Sequence, residues 1–142
     1  MTRPNRLTAA TVMFALVWSA CVGAAEKARV PDSLPGAMLV DAKWVKSALD
    51  RRESLLVLDA RIASEFAQGH LPGAVNLDEK AGVTLQSTLP RDKSSPVLFY
   101  CNGPKCLKSF ESAKKTLELG YRKVYWFRGG IPEWTSHGYP LE

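Results

Sequence analysis

Apolar positions along this chain fall into short runs divided by polar or Gly/Pro breaks, and the spacing inside each run predicts an element. Trp44, Val45, Ala48 and Leu49 recur near the 3.6-residue period behind Asp41, a good cap residue, so the spacing predicts a helix. Leu55-Leu56-Val57-Leu58 is instead an unbroken apolar run ended by Asp59, the pattern of a strand covered on both faces. Ser64 to Ala67 predicts a short helix closed by Gly69, and His70 to Leu77 predicts a turn followed by a strand. Val97 to Tyr100 repeats the buried-strand pattern. Leu107, Phe110, Ala113, Leu117 and Leu119 then return to helical spacing with lysines between them, and Gly120 stops that helix. Val124 to Phe127 predicts a further strand, running into a turn at Gly129-Gly130. Upstream, Met38 to Val40 reads as a short extended piece after a linker at Pro31 to Gly36, while Asp78 to Pro90 fits neither period. Strands alternating with helices imply an α/β fold: a central parallel sheet of about five strands with helices on both faces. Sites in such sheets lie beyond the carboxyl ends of the strands.

The first 25 residues stand apart from this alternation. Arg3 and Arg6 precede an apolar stretch from Leu7 to about Ala20, and small residues Gly23-Ala24-Ala25 follow, which is the layout of a secretory signal peptide cleaved near Ala24 or Ala25. The expected organisation is thus a signal over 1–25, a linker over 26–37 and one domain over 38–142, with a bacterial periplasmic destination. Two alternatives involve the membrane. The apolar stretch falls short of the about 20 residues of a comfortable membrane helix, which makes an uncleaved anchor the weaker reading. Trp18-Ser19-Ala20-Cys21 resembles a lipoprotein signal with lipid attachment at Cys21, although Trp18 stands where an aliphatic residue is usual.

Composition then narrows the classes of function. With 142 residues, 46% of them apolar and 23% charged, the chain has enough material for one ordinary core. Removing Arg3 and Arg6 with the leader leaves 17 of the 19 Lys+Arg against all 14 Asp+Glu, so the net charge falls from +5 to +3. That is too mild to indicate nucleic acid. The excess follows Cys101: Lys105, Lys108, Lys114, Lys115, Arg122, Lys123 and Arg128 face only Glu111, Glu118, Glu133 and Glu142, a balance that favours small anionic substrates. Lys114 and Lys115 read more simply as a solvated helix face.

Chemistry concentrates in Cys101-Asn102-Gly103-Pro104-Lys105-Cys106, which throws a cysteine off a buried strand into a Gly/Pro loop and leads at once into a helix start at Leu107. Backbone N–H groups there lack intrahelical partners and the helix dipole is positive, so a thiolate or oxyanion in the loop is stabilised. Such surroundings lower a cysteine pKa from about 8.5 toward neutrality. Cys101 is the candidate nucleophile, and the amides from Asn102 through Leu107, apart from Pro104, which has no N–H and with Gly103 sets the curve of the loop, are candidate donors; losing one comparable donor costs other enzymes about 3–4 kcal/mol. Once the leader and Cys21 are gone, Cys101 and Cys106 are the two cysteines left. They form no C-x-x-C motif, and His70 and His137 show no metal-ligand spacing with them, so no metal or cofactor is expected. In an oxidising compartment the pair closes a disulfide only if its Cα atoms come within about 7 Å.

Taken in order, Val57-Leu58-Asp59-Ala60-Arg61, Glu65-Phe66, Gly69-His70-Leu71-Pro72-Gly73-Ala74-Val75-Asn76, the Cys101 loop, and then Gly120-Tyr121, Val124-Tyr125, Gly129-Gly130, Trp134 and Gly138-Tyr139-Pro140 resemble a rhodanese domain. The resemblance covers roughly Leu39 to Pro140. It implies a single-domain sulfurtransferase that carries sulfur from thiosulfate or a persulfide donor as a persulfide on Cys101 and gives it to cyanide, a thiol or an acceptor protein, a two-step covalent route. Lys105 matches a position that is basic in several such loops and is placed to hold the anionic end of thiosulfate. Asp59 and Arg61 flank a strand end and read as a supporting ion pair, His70 as a turn cap, and Trp126, Phe127 and Trp134 as core or pocket wall.

Two other readings compete. A phosphatase of this fold needs a Cys-x5-Arg loop, but Leu107 occupies the arginine position, so the bidentate guanidinium that suits phosphate is missing. A sulfur carrier or redox partner with little turnover of its own is the stronger competitor, because most such loops have no second cysteine at Cys106. That cysteine is a candidate resolving thiol; the bland alternative is a small residue packed at a helix start.

Overall fold

The structure, a computed structural model, describes residues 29–142; the proposed leader and Cys21 lie outside the described residues. Five strands, β1 (Ala37–Leu39), β2 (Leu56–Asp59), β3 (Val75–Asn76), β4 (Val97–Tyr100) and β5 (Val124–Phe127), form one parallel sheet in the order β1-β5-β4-β2-β3. The helices are α1 (Ala42–Asp50), α2 (Ala63–Ala67), α3 (Leu85–Thr88), α4 (Leu107–Glu118) and α5 (Gly130–Ser136), with a 3₁₀ turn at Glu79–Ala81.

Strand residues alternate between two cores, as the two-residue strand period requires. Leu58, Val97, Phe99, Val124 and Trp126 face one side, where Ala113, Phe110 and Leu117 of α4 and Leu85 of α3 cover them. Val57, Leu98, Tyr100 and Phe127 face the other, under Ala42 and Val45 of α1 and Trp134 of α5. All four residues of β4 are buried, so this central strand is a rigid support for whatever follows it. Trp126 and Trp134 both lie in the core, and each indole N–H finds a partner: Ser109 Oγ at 3.1 Å and the Pro140 carbonyl at 2.9 Å.

Three stretches differ from the sequence expectation. The segment read as linker contributes Val30 and Leu34 to the core, because Gly36, at φ +89°, turns the chain back against Leu117 of α4. Residues 78–90, without a period in the sequence, hold the 3₁₀ turn and the single-turn α3, fixed by a capping box between Thr84 and Ser87. The turn at Gly129-Gly130 opens directly into α5. Its Pro132 sits in the first turn, where a missing N–H costs nothing, and Asp41 caps α1 as expected through Oδ1, 2.8 Å from the Trp44 amide.

Candidate active site

Because β4 is buried from end to end, its next residue is delivered to a fixed point at the carboxyl edge of the sheet. Cys101 stands there, 2% exposed. The chain then curls: Gly103 adopts φ +108°, a left-handed conformation that glycine reaches without penalty, and the Cys106 amide donates to the Gly103 carbonyl at 3.0 Å. Cys106 is the N-cap residue of α4, with no side-chain cap bond. Curling brings the Cα atoms of Cys101 and Cys106 to 6.2 Å, and the two sulfurs are joined in a disulfide. The Cys101 sulfur is thereby held at the amino end of a 12-residue helix, where the dipole favours a thiolate once the bond is reduced.

The turn after β5 forms the floor of the loop. The Ile131 amide donates to the Cys101 carbonyl at 3.1 Å, and a Cβ on Gly130 would stand 2.1 Å from that same carbonyl oxygen. Gly130 also has φ +56°, so both space and backbone demand glycine. On the other side, Asn102 Nδ2 donates to Glu65 Oε1 at 2.7 Å and ties the loop to α2. Expected only as a backbone donor, Asn102 works here through its side chain. Of the candidate amides, that of Cys106 is spent inside the loop in this disulfide-closed state. Pro104 and Lys105 are exposed at the loop tip, and Leu107 packs against the sheet as the first residue of α4.

Beneath the loop lies a polar network. Asp59 is fully buried and Arg61 is 6% exposed; Arg61 Nη2 donates to Asp59 Oδ2 at 2.7 Å and Nε to Oδ1 at 3.0 Å. Arg61 Nη2 also reaches the Gly69 carbonyl at 2.8 Å, fastening the end of α2. Burial pulls the Arg61 pKa down, but the hydrogen bonds and charge of Asp59 outweigh it and hold the guanidinium above its ordinary value. Sequence reasoning named this pair and missed its third member. Tyr100, the residue before Cys101, donates its hydroxyl to Asp59 Oδ2 at 2.5 Å and accepts from the Leu71 amide at 3.2 Å. Burial, followed by the Asp59 charge, pushes the Tyr100 pKa well above its usual range, so the phenol stays protonated. No local pattern announces a hydrogen bond between residues 41 apart. His70 donates from Nδ1 to the Phe66 carbonyl at 3.0 Å and stacks on the Phe66 ring.

The basic surround is smaller than the charge count implied. Arg122 and Lys123 precede β5 and so lie at the opposite end of the sheet, while Lys115 sits further along α4, on the cleft that Lys108 also borders. Arg128 pairs with Asp32 at 2.8 Å. Lys105 and Lys108 are left as exposed cations beside the loop, with Lys108 bordering a cleft of about 720 Å³ along α4.

A buried central strand that ends in a cysteine loop at a helix N-terminus, in a five-stranded parallel sheet flanked by helices, defines an α/β protein with its candidate site at the carboxyl edge of the sheet. The chain belongs to the rhodanese-like family: the family model described as "Rhodanese-like domain" matches residues 41–137. It is 30% identical over 102 residues to a sulfurtransferase of Allochromatium vinosum, an alignment covering 72% of this chain and 92% of that one. Among solved structures, the BH2092 protein of Bacillus halodurans aligns with TM-score 0.65 at 24% identity over 75% of this chain and 77% of that one. The thiosulfate sulfurtransferase of Pseudomonas aeruginosa aligns with TM-score 0.63 at 27% identity, over 75% of this chain but 20% of that one. Sulfur transfer in general is the chemistry that this membership supports.

Proposed function

We propose that the reduced protein is a periplasmic sulfurtransferase that takes sulfane sulfur from thiosulfate or a persulfide donor onto Cys101 and passes it to a thiophilic acceptor, cyanide, a thiol or a protein. The observation that carries this reading is Cys101 itself, seated after the buried strand β4 with its sulfur at the N-terminus of α4. In the first step the Cys101 thiolate attacks the outer sulfur of thiosulfate, the S–S bond of the donor breaks and sulfite leaves. An acceptor nucleophile then attacks the bound outer sulfur and returns the thiolate. Lys105 and Lys108 attract the dianion, and the helix N-terminus stabilises the persulfide.

The secretory reading of residues 1–25 is supported by their basic start, apolar stretch and small residues at Gly23-Ala24-Ala25, and a Cys101–Cys106 disulfide is compatible with the oxidising compartment to which such a leader sends a chain. Thiocyanate formation from thiosulfate and cyanide tests the activity. The reduced protein is expected to turn over and Cys101→Ser to be inactive; an inactive parent with confirmed free thiols would refute the thiosulfate reading. N-terminal sequencing of the secreted protein tests the leader: a start near Glu26 is expected, whereas a blocked, lipid-modified Cys21 would overturn cleavage there.

A further inference from the structure

Sulfur transfer through Cys101 needs one thiol, yet the fold brings a second to bonding distance. Neither the helix start nor the loop turn requires cysteine at position 106. As N-cap residue its side chain makes no cap bond, and the turn is closed by its backbone amide. Its sulfur is bonded to Cys101 while the loop stays anchored through Ile131 to the Cys101 carbonyl and through Asn102 to Glu65, and while Cys106 still begins α4. The loop of the folded protein thus accommodates the contact between the two sulfurs.

We propose that Cys106 is a resolving thiol that gives the protein a second activity, reductive release of sulfane sulfur as hydrosulfide; the proposal rests on the persulfide at Cys101. The Cys106 thiolate attacks Sγ of the Cys101 persulfide, the bond from Sγ to the outer sulfur breaks, and that sulfur departs with its proton as hydrosulfide. The Sγ–Sγ disulfide remains. Two electrons pass from the cysteine pair to the sulfane sulfur, which is reduced to sulfide. A dithiol reductant closes the cycle: one thiolate takes Cys106 Sγ in a mixed disulfide, Cys101 leaves as thiolate, and the second thiol frees Cys106 while the reductant becomes its own disulfide.

Exposure sets the direction of this last exchange. Cys101 is 2% exposed and Cys106 half-buried, so the incoming thiol meets Cys106 first. Attack at Cys106 makes Cys101 Sγ the leaving sulfur, and the positive end of α4 against the sulfur pair stabilises it as it departs as thiolate. Hydrosulfide release therefore competes with transfer to an external acceptor. An intramolecular partner on a short tether acts at an effective concentration on the order of millimolar or above, which outruns an acceptor at about 0.1 mM by roughly tenfold.

The test uses protein reduced with dithiothreitol, freed of it without air, and given thiosulfate in the absence of any other thiol. Sulfite, bimane-trapped hydrosulfide and intact mass are read together. Wild-type protein is expected to release one sulfite and one hydrosulfide per chain and to end two hydrogens lighter with no sulfur gained. Cys106→Ser is expected to release sulfite, hold one added sulfur and yield no hydrosulfide burst. Added dithiothreitol should then restart release from the wild type. A wild type that keeps the added sulfur with Cys106 still alkylatable would overturn the proposal, on its own measurement and without reliance on the variant. If neither protein gains sulfur nor releases sulfite, the transfer reading fails first and takes this one with it.

Discussion

At the scale of single residues, the loop rests on polar side chains buried behind it. Asp59 holds Arg61 and Tyr100 at once, all three buried, so neutralising it strands a guanidinium in the core. Asp59→Asn should lower stability by about 3–5 kcal/mol in denaturant unfolding, the cost of breaking a buried ion pair from one side. Tyr100 adds a pH signature. Its folded pKa lies above the ordinary value of about 10, so above that pH the unfolded chain releases a proton that the folded chain keeps, and stability falls as pH rises. Tyr100→Phe should cost about 1–2 kcal/mol near neutrality and flatten that alkaline fall in melting experiments. The sequence made Cys101, Asp59 and Arg61 legible because their chemistry is local to a strand end. Tyr100 and the side-chain role of Asn102 depend on Asp59 and Glu65, brought close only by folding.

Among the elements, the apolar runs and periods were readable, and so were the short α2 and β3, whereas residues 78–90 and α5 were not. The four-residue buried strands and α4 announce themselves through runs and spacing, whereas α5 begins Gly-Ile-Pro and reads as a break. Its helix is sustained by features without a sequence period: Pro132 in the first turn, and Thr135 and Ser136 hydroxyls bonded back to the Ile131 and Glu133 carbonyls. The turn that starts α5 also carries the loop floor, which gives Gly130 a function beyond packing. Gly130→Ala would force its methyl against the Cys101 carbonyl and shift the loop. A displacement near 1 Å lowers rates by about 100-fold, so sulfur transfer should collapse while far-UV circular dichroism stays near that of the parent.

For the molecule as a whole, the sheet order β1-β5-β4-β2-β3 places the best-buried strand in the middle and the reactive loop at its carboxyl end. The alternation of the two cores was legible in the strand patterns, but the contribution of Val30 and Leu34 was masked by the Pro/Gly context that also marks linkers. The disulfide adds a condition-dependent share of stability. A bond between residues five apart restrains the unfolded chain by about 2 kcal/mol in the loop-entropy account, so the oxidised domain should melt roughly 8 °C above the reduced one, with Cys106→Ser matching the reduced form. One position couples this chemistry to the backbone: Cys106 is both a partner in the bond and the residue from which α4 starts. Oxidation pins the first helical turn and reduction releases it to fray, so deuterium uptake at the amides of Leu107 to Phe110 should rise on reduction while the centre of β4 stays protected. The opening turn of the helix thus becomes an isotopic gauge of the sulfur pair, readable without substrate, acceptor or turnover.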